Sequence, residues 1–488
     1  MKTQISNLTR HLSGNSFKAQ CSRSAIALTA GNVTERGMRL VRTMFLAKLL
    51  LRSDIGIMAL VVMVSQLLEA LTQVGVKQSV IQNKKGGQEE YLNTAWWFQT
   101  VRGIGLYVVS FLLAPAISGF YDEPRMLWML RIAFLGILFN GLISPRAHVL
   151  EKNLKFGKAV LLVQGSGLLG TLITICLVCF WRDVWAIVIG ITAETFLRSL
   201  MSFVFCPFRP RFSIDRESYK ELLKYARRML GIPILTWFAF QADIVVLGKL
   251  VSKELVGIYF AAFQLARMPR ELFTRVVGQL LLPAFSKKQD DSHILGDMVL
   301  TVVRGTAVFT SPLMAFFIIC SGAILCIAYK PEYVEVSVPF CLLCLVILLR
   351  IQGVIISSLY LAIGQPHFLR RFVGLRAAVI LLLIYPGVVI GQLTGAAAVV
   401  LIAEAVGFLG QIFWLQKLTT LRARDYIYCL FPASWISAVV ILPVGLWILF
   451  GPESIWAYLM IGGLFLAIAY VIGLFFYGIS WQRPHGTI

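Results

Sequence analysis

A stretch of about 20 apolar residues that crosses a bilayer is committed to a helix, because hydrocarbon offers no partner for its N–H and C=O groups. This chain carries fourteen such stretches, at 25–50, 54–76, 92–116, 125–145, 159–180, 184–206, 229–248, 255–285, 298–328, 335–362, 372–391, 394–416, 426–450 and 454–480. The expected fold class is therefore an all-α polytopic membrane protein with about 14 transmembrane helices. Composition excludes the soluble classes. Of 488 residues, 58% are hydrophobic and only 14% charged, and the mean hydropathy is +0.79. A formal charge of +21 does not point to nucleic acid, because the basic residues are scattered between apolar runs and form no soluble basic domain. Membrane lipids and the membrane potential are the simpler partners.

The connections alternate in character. YDEPR, WRDVW, QLTG and GPES are short and acidic or neutral, whereas PRAHVLEKNLKFGK and PFRPRFSIDRESYKELLKYARR are long and basic. With both termini cytoplasmic, the cytoplasmic segments hold about 27 Lys and Arg and the opposite loops about 6, the sign of the positive-inside rule. Met1 to Arg23 lacks the apolar core of a cleavable signal and reads as a cytosolic tail, 1–23. A shift of about 200 residues reveals a duplication: Lys48, Leu49, Gly56 and Ile57 align with Lys249, Leu250, Gly257 and Ile258. The implied domains are a six-helix bundle over 24–206, a basic cytosolic linker over 207–228, a second six-helix bundle over 229–416 and an additional helix pair over 426–480.

Charges at apparent membrane depth are the candidate site. On a helix, Glu35, Arg39 and Arg42 fall within roughly 60° of one another, so the first span carries a charged stripe. Such a stripe must face other helices or water. Two starts remain open for this span: Ala25 puts Arg36, Arg39 and Arg42 at depth, and Gly37 leaves Arg36 and Arg39 snorkelling at the interface. Arg102, Arg131, Arg198, Arg267, Arg270, Arg275, Arg304 and Arg350 extend the basic set, against Glu35, Glu69, Glu194, Asp243, Glu271 and Glu404. Glu194 with Arg198, and Glu271 with Arg275, have the spacing of local ion pairs. The surplus favours an anion, and arginine suits phosphate through its planar, always-charged fork. Arg267 and Arg270 flank Pro269, which frees backbone carbonyls mid-span. Asp243 reads either as an ion-coupling acid or as half of a structural ion pair.

No catalytic constellation emerges, so an enzyme is not expected. Most cysteines lie in or at the end of apolar runs, the five histidines have no metal-ligand spacing, and no glycine loop carries a nucleotide motif; no metal and no cofactor is expected. GSGLLG at 165–170 reads as a close helix contact.

The stretch DIGIMALVVMVSQLLEALTQVGVKQSVIQNKKGGQEEYLNTAWWFQTVRGIGLYVVSFLLAPAISGFYDEP, with LEKNLKFGKAV and QADIVVLGKLVSKELVGIYFAAFQLA, resembles the polysaccharide transporter (oligosaccharide flippase) family. That family lies in the multidrug/oligosaccharidyl-lipid/polysaccharide exporter superfamily. The resemblance covers roughly residues 25 to 420. It implies two six-helix bundles facing a central cavity, a C-terminal helix pair, and alternating access that moves undecaprenyl-diphosphate-linked oligosaccharide across a bacterial inner membrane. It places a polysaccharide polymerase and glycosyltransferases among the partners. It maps a cationic cavity to Arg36, Arg39, Arg42, Arg102, Arg267 and Arg270, and the family's acid to Asp243. The alternative is a cation-coupled multidrug exporter of the same superfamily, although that branch favours an acidic lumen. Anion binding is expected chiefly on the first bundle and any cation coupling on the second.

Overall fold

The computed structural model describes residues 17–71, 75–83, 85–152, 156–229, 231–289, 291–419, 421–450 and 454–481. Among them the regular structure is helical throughout. The chain divides into two compact units, Met1–Trp237 and Phe238–Ile488.

In the first unit the membrane helices are α1 (Phe17–Leu49), α2 (Arg52–Leu71), α3 (Glu89–Phe120), α4 (Met126–Gly141), α5 (Ser166–Trp181) and α6 (Val184–Phe205). Helix α1 begins at Phe17, ahead of both starts open to the sequence, so part of the expected tail is helical and residues 1–16 lie outside the described residues. Its charged stripe turns inward while Val41 and Phe45 are exposed on the opposite face. Helix α5 is entered through a single π turn, Leu161–Gly165. That extra residue per turn rotates everything after it and brings Ser166 and Gly167 round to α1 and α6.

The segment after α6 folds back onto the start of α3. Asn93 donates to the carbonyls of Arg211 (2.7 Å) and Ser213, and receives the Arg211 N–H on its own oxygen at 2.7 Å. The amphipathic helix Arg216–Met229 follows, with Leu222 and Ala226 buried and its acids turned to the loop before α3. Lys85 pairs with Glu217 at 3.0 Å and Asn83 donates to Glu221.

The second unit holds α7 (Ile232–Leu250, whose start lies in the first unit), α8 (Lys253–Ala266), α9 (Met268–Val276), α10 (Gly278–Ser286), α11 (Ser292–Ile319), α12 (Ser337–Ala362), α13 (Pro366–Leu418), α14 (Ala423–Phe450) and α15 (Ile455–Trp481). The span expected over 255–285 is three helices. Pro269 has no N–H to offer the ladder, so α8 stops at Ala266 and the proline opens α9, where that N–H is not needed. The two spans expected at 372–391 and 394–416 are the arms of α13, separated at Gln392 (φ 45°, ψ −123°). Helices α14 and α15 pack on each other and on α11. The unit's core gathers Phe285, Val299, Ile355, Tyr360, Ile412 and Tyr426 from α10 to α14.

Ten helices among the described residues are long and apolar enough to cross a membrane. The other expected spans are accounted for by α1 with its charges, the shorter α4, the broken α8–α10 and the second arm of α13. The surface has the polarity of a membrane protein. Phe180 and Ile390 are 91% and 87% exposed, while Glu35, Glu194, Asp243 and Glu404 are each 4% exposed or less.

Candidate functional site

The arginine stripe of α1 is received by a carboxylate on α6. Arg39 donates through Nε to Glu35 at 2.9 Å and through Nη2 to Glu194 at 2.5 Å. Arg198, one turn beyond Glu194 on the same helix, donates to the same Glu194 oxygen at 3.0 Å and to Ser166 at 3.4 Å. Arg42 Nη1 stands 3.9 Å from the other Glu194 oxygen, buried and without a hydrogen bond. Glu194 is thus the hub of three guanidinium groups. Three arginines against Glu35 and Glu194 leave a formal surplus of one positive charge.

Small residues on α5 make room for this hub. A Cβ added at Gly170 would lie 2.4 Å from the Glu194 Cβ, and one at Gly167 would meet Glu35 at 3.1 Å and Arg39 at 3.4 Å. The GSGLLG stretch is therefore a close contact between helices, made over ionic side chains. Arg36 is half-buried on α1 beside Glu35. Arg102 is half-buried on α3, where Glu69 of α2 is the acid that acts on it; Glu69 also feels Arg198.

The second unit has its own hub. Glu404, on the second arm of α13, takes Arg350 of α12 at 3.0 Å and Arg376 of the first arm at 3.1 Å. Arg350 also donates to the Ala239 carbonyl at 3.3 Å and lies 4.2 Å above the Phe240 ring, whose centroid is 4.9 Å from Arg270. Two cations on one ring hold the α7 backbone beside the hub. Gly407 leaves room for Arg376, since a Cβ there would lie 2.3 Å from the Arg376 Nε.

Asp243 is almost fully buried and receives the Tyr259 hydroxyl at 2.8 Å, with Arg350 the nearby cation. Arg267 pairs with Glu271 at 2.9 Å and lies on the Phe263 side of α8; the side chain of Arg275, the partner expected for Glu271, lies outside the described residues.

Of the residues singled out in sequence, the structure brings Arg39 and Arg42 together on Glu194, and Arg270 and Arg350 together on the Phe240 ring, with Arg350 also near Asp243. Arg376, which the sequence reading left aside, is central to the second hub, and Glu194 reaches beyond its expected local pair with Arg198 to Arg39 and Arg42. A signal for the hubs was present. The same Ala-Glu pair stands at Ala193–Glu194 on α6 and at Ala403–Glu404 on the second arm of α13.

These features define an all-α, multi-pass membrane protein that keeps a positively charged ionic cluster inside each of its two units. Its fold is that of a solved structure titled lipid II flippase MurJ, inward closed conformation, with a TM-score of 0.79 at 15% identity, covering 94% of this chain and 100% of that one. Residues 45–338 match the model of the polysaccharide biosynthesis protein family, and the chain belongs to that family, the polysaccharide transporter branch of the multidrug/oligosaccharidyl-lipid/polysaccharide exporter superfamily. It is 23% identical over 368 residues to the lipopolysaccharide biosynthesis protein WzxC of Escherichia coli (strain K12), covering 75% of this chain and 74% of that protein. It is 21% identical over 379 residues to the teichuronic acid biosynthesis protein TuaB of Bacillus subtilis (strain 168), covering 76% and 77%.

Proposed function

We propose that this protein is a flippase that carries undecaprenyl-diphosphate-linked oligosaccharide units across a bacterial inner membrane for surface polysaccharide synthesis, by alternating access and with both termini cytoplasmic. The observation that carries the reading is Arg42: a buried guanidinium nitrogen with no hydrogen bond, 3.9 Å from a carboxylate already shared with Arg39 and Arg198. A diphosphate is the ligand that such a cluster lacks. It offers more charge and more acceptor oxygens than one carboxylate, and it matches the arginine fork. Glu194 holds the arginines in place when no substrate is bound and yields them to the diphosphate, whose polyprenyl tail stays in lipid.

The family and the relatives support the cargo class. WzxC and TuaB are named for the synthesis of lipopolysaccharide and teichuronic acid, and the fold is shared with a lipid II flippase. Flipping makes and breaks no covalent bond, so it requires two conformations and a bias. Asp243, with Tyr259 on its carboxylate, offers a place for a cation gradient to act, and one charge moving through 100 mV corresponds to about 2.3 kcal/mol. An acid of that kind also suits a cation-coupled multidrug exporter, but the arginines that outnumber the acids in both clusters disfavour cationic cargo.

The test is replacement of Arg39 and Arg42 by Ala in cells that depend on this gene for surface polysaccharide. Loss of polymer with normal protein abundance is expected. Normal polymer at normal abundance would remove the diphosphate reading.

A further inference from the structure

The first unit contains a second polar feature that the arginine cluster does not use. Between α2, α4 and α6 lies a cavity of about 150 Å³, the space of about five waters at about 30 Å³ each. Its polar wall is Ser65, Gln66, Glu69, Asn140, Thr192 and Thr195, and its apolar wall includes Val61, Ile137, Val188 and Ile191. Gln66 is exposed and Ser65, Glu69 and Thr195 are half-buried on helices of membrane length, and Asn140 is half-buried on the shorter apolar α4. Amide and carboxylate groups exposed at that depth cannot face hydrocarbon, so this cavity is lined by water when empty of ligand.

The hydrogen-bond polarity of the wall narrows the ligand. The Ser65 hydroxyl donates to the Val61 carbonyl at 2.8 Å, Thr192 to Val188 at 2.9 Å, and Thr195 to Thr192 at 2.7 Å. Their protons are used within their own helices, and what they turn outward is acceptor lone pairs. Glu69 adds two carboxylate oxygens, bonded only weakly by the Asn140 amide at 3.5 Å. A ligand must therefore donate several hydrogen bonds. An ammonium would donate them and a metal cation would instead coordinate the same lone pairs, but Arg102 and Arg198 already act on Glu69, and a third cation beside one carboxylate is unfavourable. A neutral polyol donates as many bonds without adding charge, and it presents an apolar C–H face to Val61, Ile137 and Val188.

We propose that this cavity is a saccharide subsite that takes one neutral sugar ring, with Glu69 and Asn140 as the specificity-setting pair. It deepens the flippase reading and rests on it: Thr195 lies in the cavity wall and Arg198 on the diphosphate cluster, one turn apart on α6, so a ring near the diphosphate end of the glycan would reach both.

The test uses the full chain in detergent with Ala133, a non-polar lining residue, changed to Cys. The rate of modification by a water-soluble methanethiosulfonate is measured against the parent chain. Glucose, galactose and N-acetylglucosamine are the probes, and sodium chloride and tetraphenylphosphonium the cation controls. At least one sugar is expected to slow labelling by the factor 1 + [L]/Kd, about fivefold at four times Kd, and Glu69→Gln or Asn140→Ala should abolish the protection, read as the ratio of rates with and without sugar in each variant. No labelling at all, protection by a cation instead of a sugar, or undiminished protection in Glu69→Gln each overturns the subsite. Translocation of a lipid-diphosphate-linked oligosaccharide in proteoliposomes is scored separately. Translocation without sugar protection removes this subsite alone, and sugar protection without translocation leaves the subsite and removes the flippase reading.

Discussion

Neutralising Glu194 is the sharpest perturbation the structure offers. Two guanidinium groups donate to this carboxylate, at 2.5 and 3.0 Å, and a third stands 3.9 Å away, while the glutamate is only 4% exposed. Glu194→Gln keeps the shape and one carbonyl acceptor but leaves Arg39 and Arg42 with Glu35, and Arg198 with the more distant Glu69. Hydrogen bonds between charged groups are each worth about 1.5–3 kcal/mol, and breaking a buried pair by removing one partner costs about 3–5 kcal/mol. Both routes converge on about 3 kcal/mol for Gln and about 5 kcal/mol for Ala. A unit the size of Met1–Trp237 loses about 2 °C in Tm per kcal/mol, so the expected shifts are about 6 °C and about 10 °C. The assay is thermal unfolding of the purified full chain in detergent. Removing one of the stranded cations should relieve part of the loss. Glu194→Gln combined with Arg198→Gln is expected to be more stable than the sum of the two single changes by about 1–2 kcal/mol. If Glu194→Gln melts with the wild type and the double variant shows no coupling, the three-arginine hub does not hold these helices together.

The other perturbations are simpler to score. Gly170→Ala places a methyl 2.4 Å from the Glu194 Cβ and should cost about 1–3 kcal/mol by forcing α5 and α6 apart, read as lower Tm with Gly167→Ala milder. In the second unit, Glu404→Leu alone strands Arg350 and Arg376 and should cost about 3–5 kcal/mol, whereas Glu404→Leu with Arg350→Met should recover part of that loss in the same melt. Outside the membrane, burial and then the neighbouring Lys77 lower the His148 imidazole from 6.5 to about 4. The unfolded chain then binds a proton the folded one refuses between those values, so stability should rise with pH from about 4 to about 6.5 and level off above, by at most about 3 kcal/mol. His148→Gln should flatten the Tm–pH profile over that window, and an unchanged slope would assign the dependence to another group. Lys85→Gln removes the pair with Glu217 and should increase proteolytic cleavage around residues 207–216, where that segment docks on α3.

How much of this was legible follows from which forces act locally. Apolar runs declare themselves in sequence because a bilayer imposes length and composition on each helix separately, and that is why the fold class was readable one segment at a time. The breaks within spans were only half readable. Pro269 announces a problem in the ladder, but the exchange of one expected span for three helices depends on what packs against the freed carbonyls. Gln392 gives no local sign that it will take a positive φ between the arms of α13. The charged residues were visible individually, while their long-range partners were not, since Arg39 and Glu194 are brought together only because α1 and α6 both pack on α5. Each unit sets a buried glutamate among its arginines and offsets part of their charge, a pairing of which sequence spacing shows only the local member, Glu194 with Arg198. A recurring dipeptide held part of the missing information. It stands at Ala193–Glu194 and Ala403–Glu404, yet the cations that meet the two acids come from different places: α1 and α6 in the first unit, α12 and the first arm of α13 in the second. The acid is thus the repeated element and the arginines are the variable one. In the first unit this leaves Arg42, on α1, with a buried nitrogen that meets no hydrogen-bond acceptor among the described residues. In the second it leaves Arg350 between Glu404 and Asp243. On the proposed flippase reading, the hub of the first unit serves an incoming anion, while that of the second unit sits beside an internal acid.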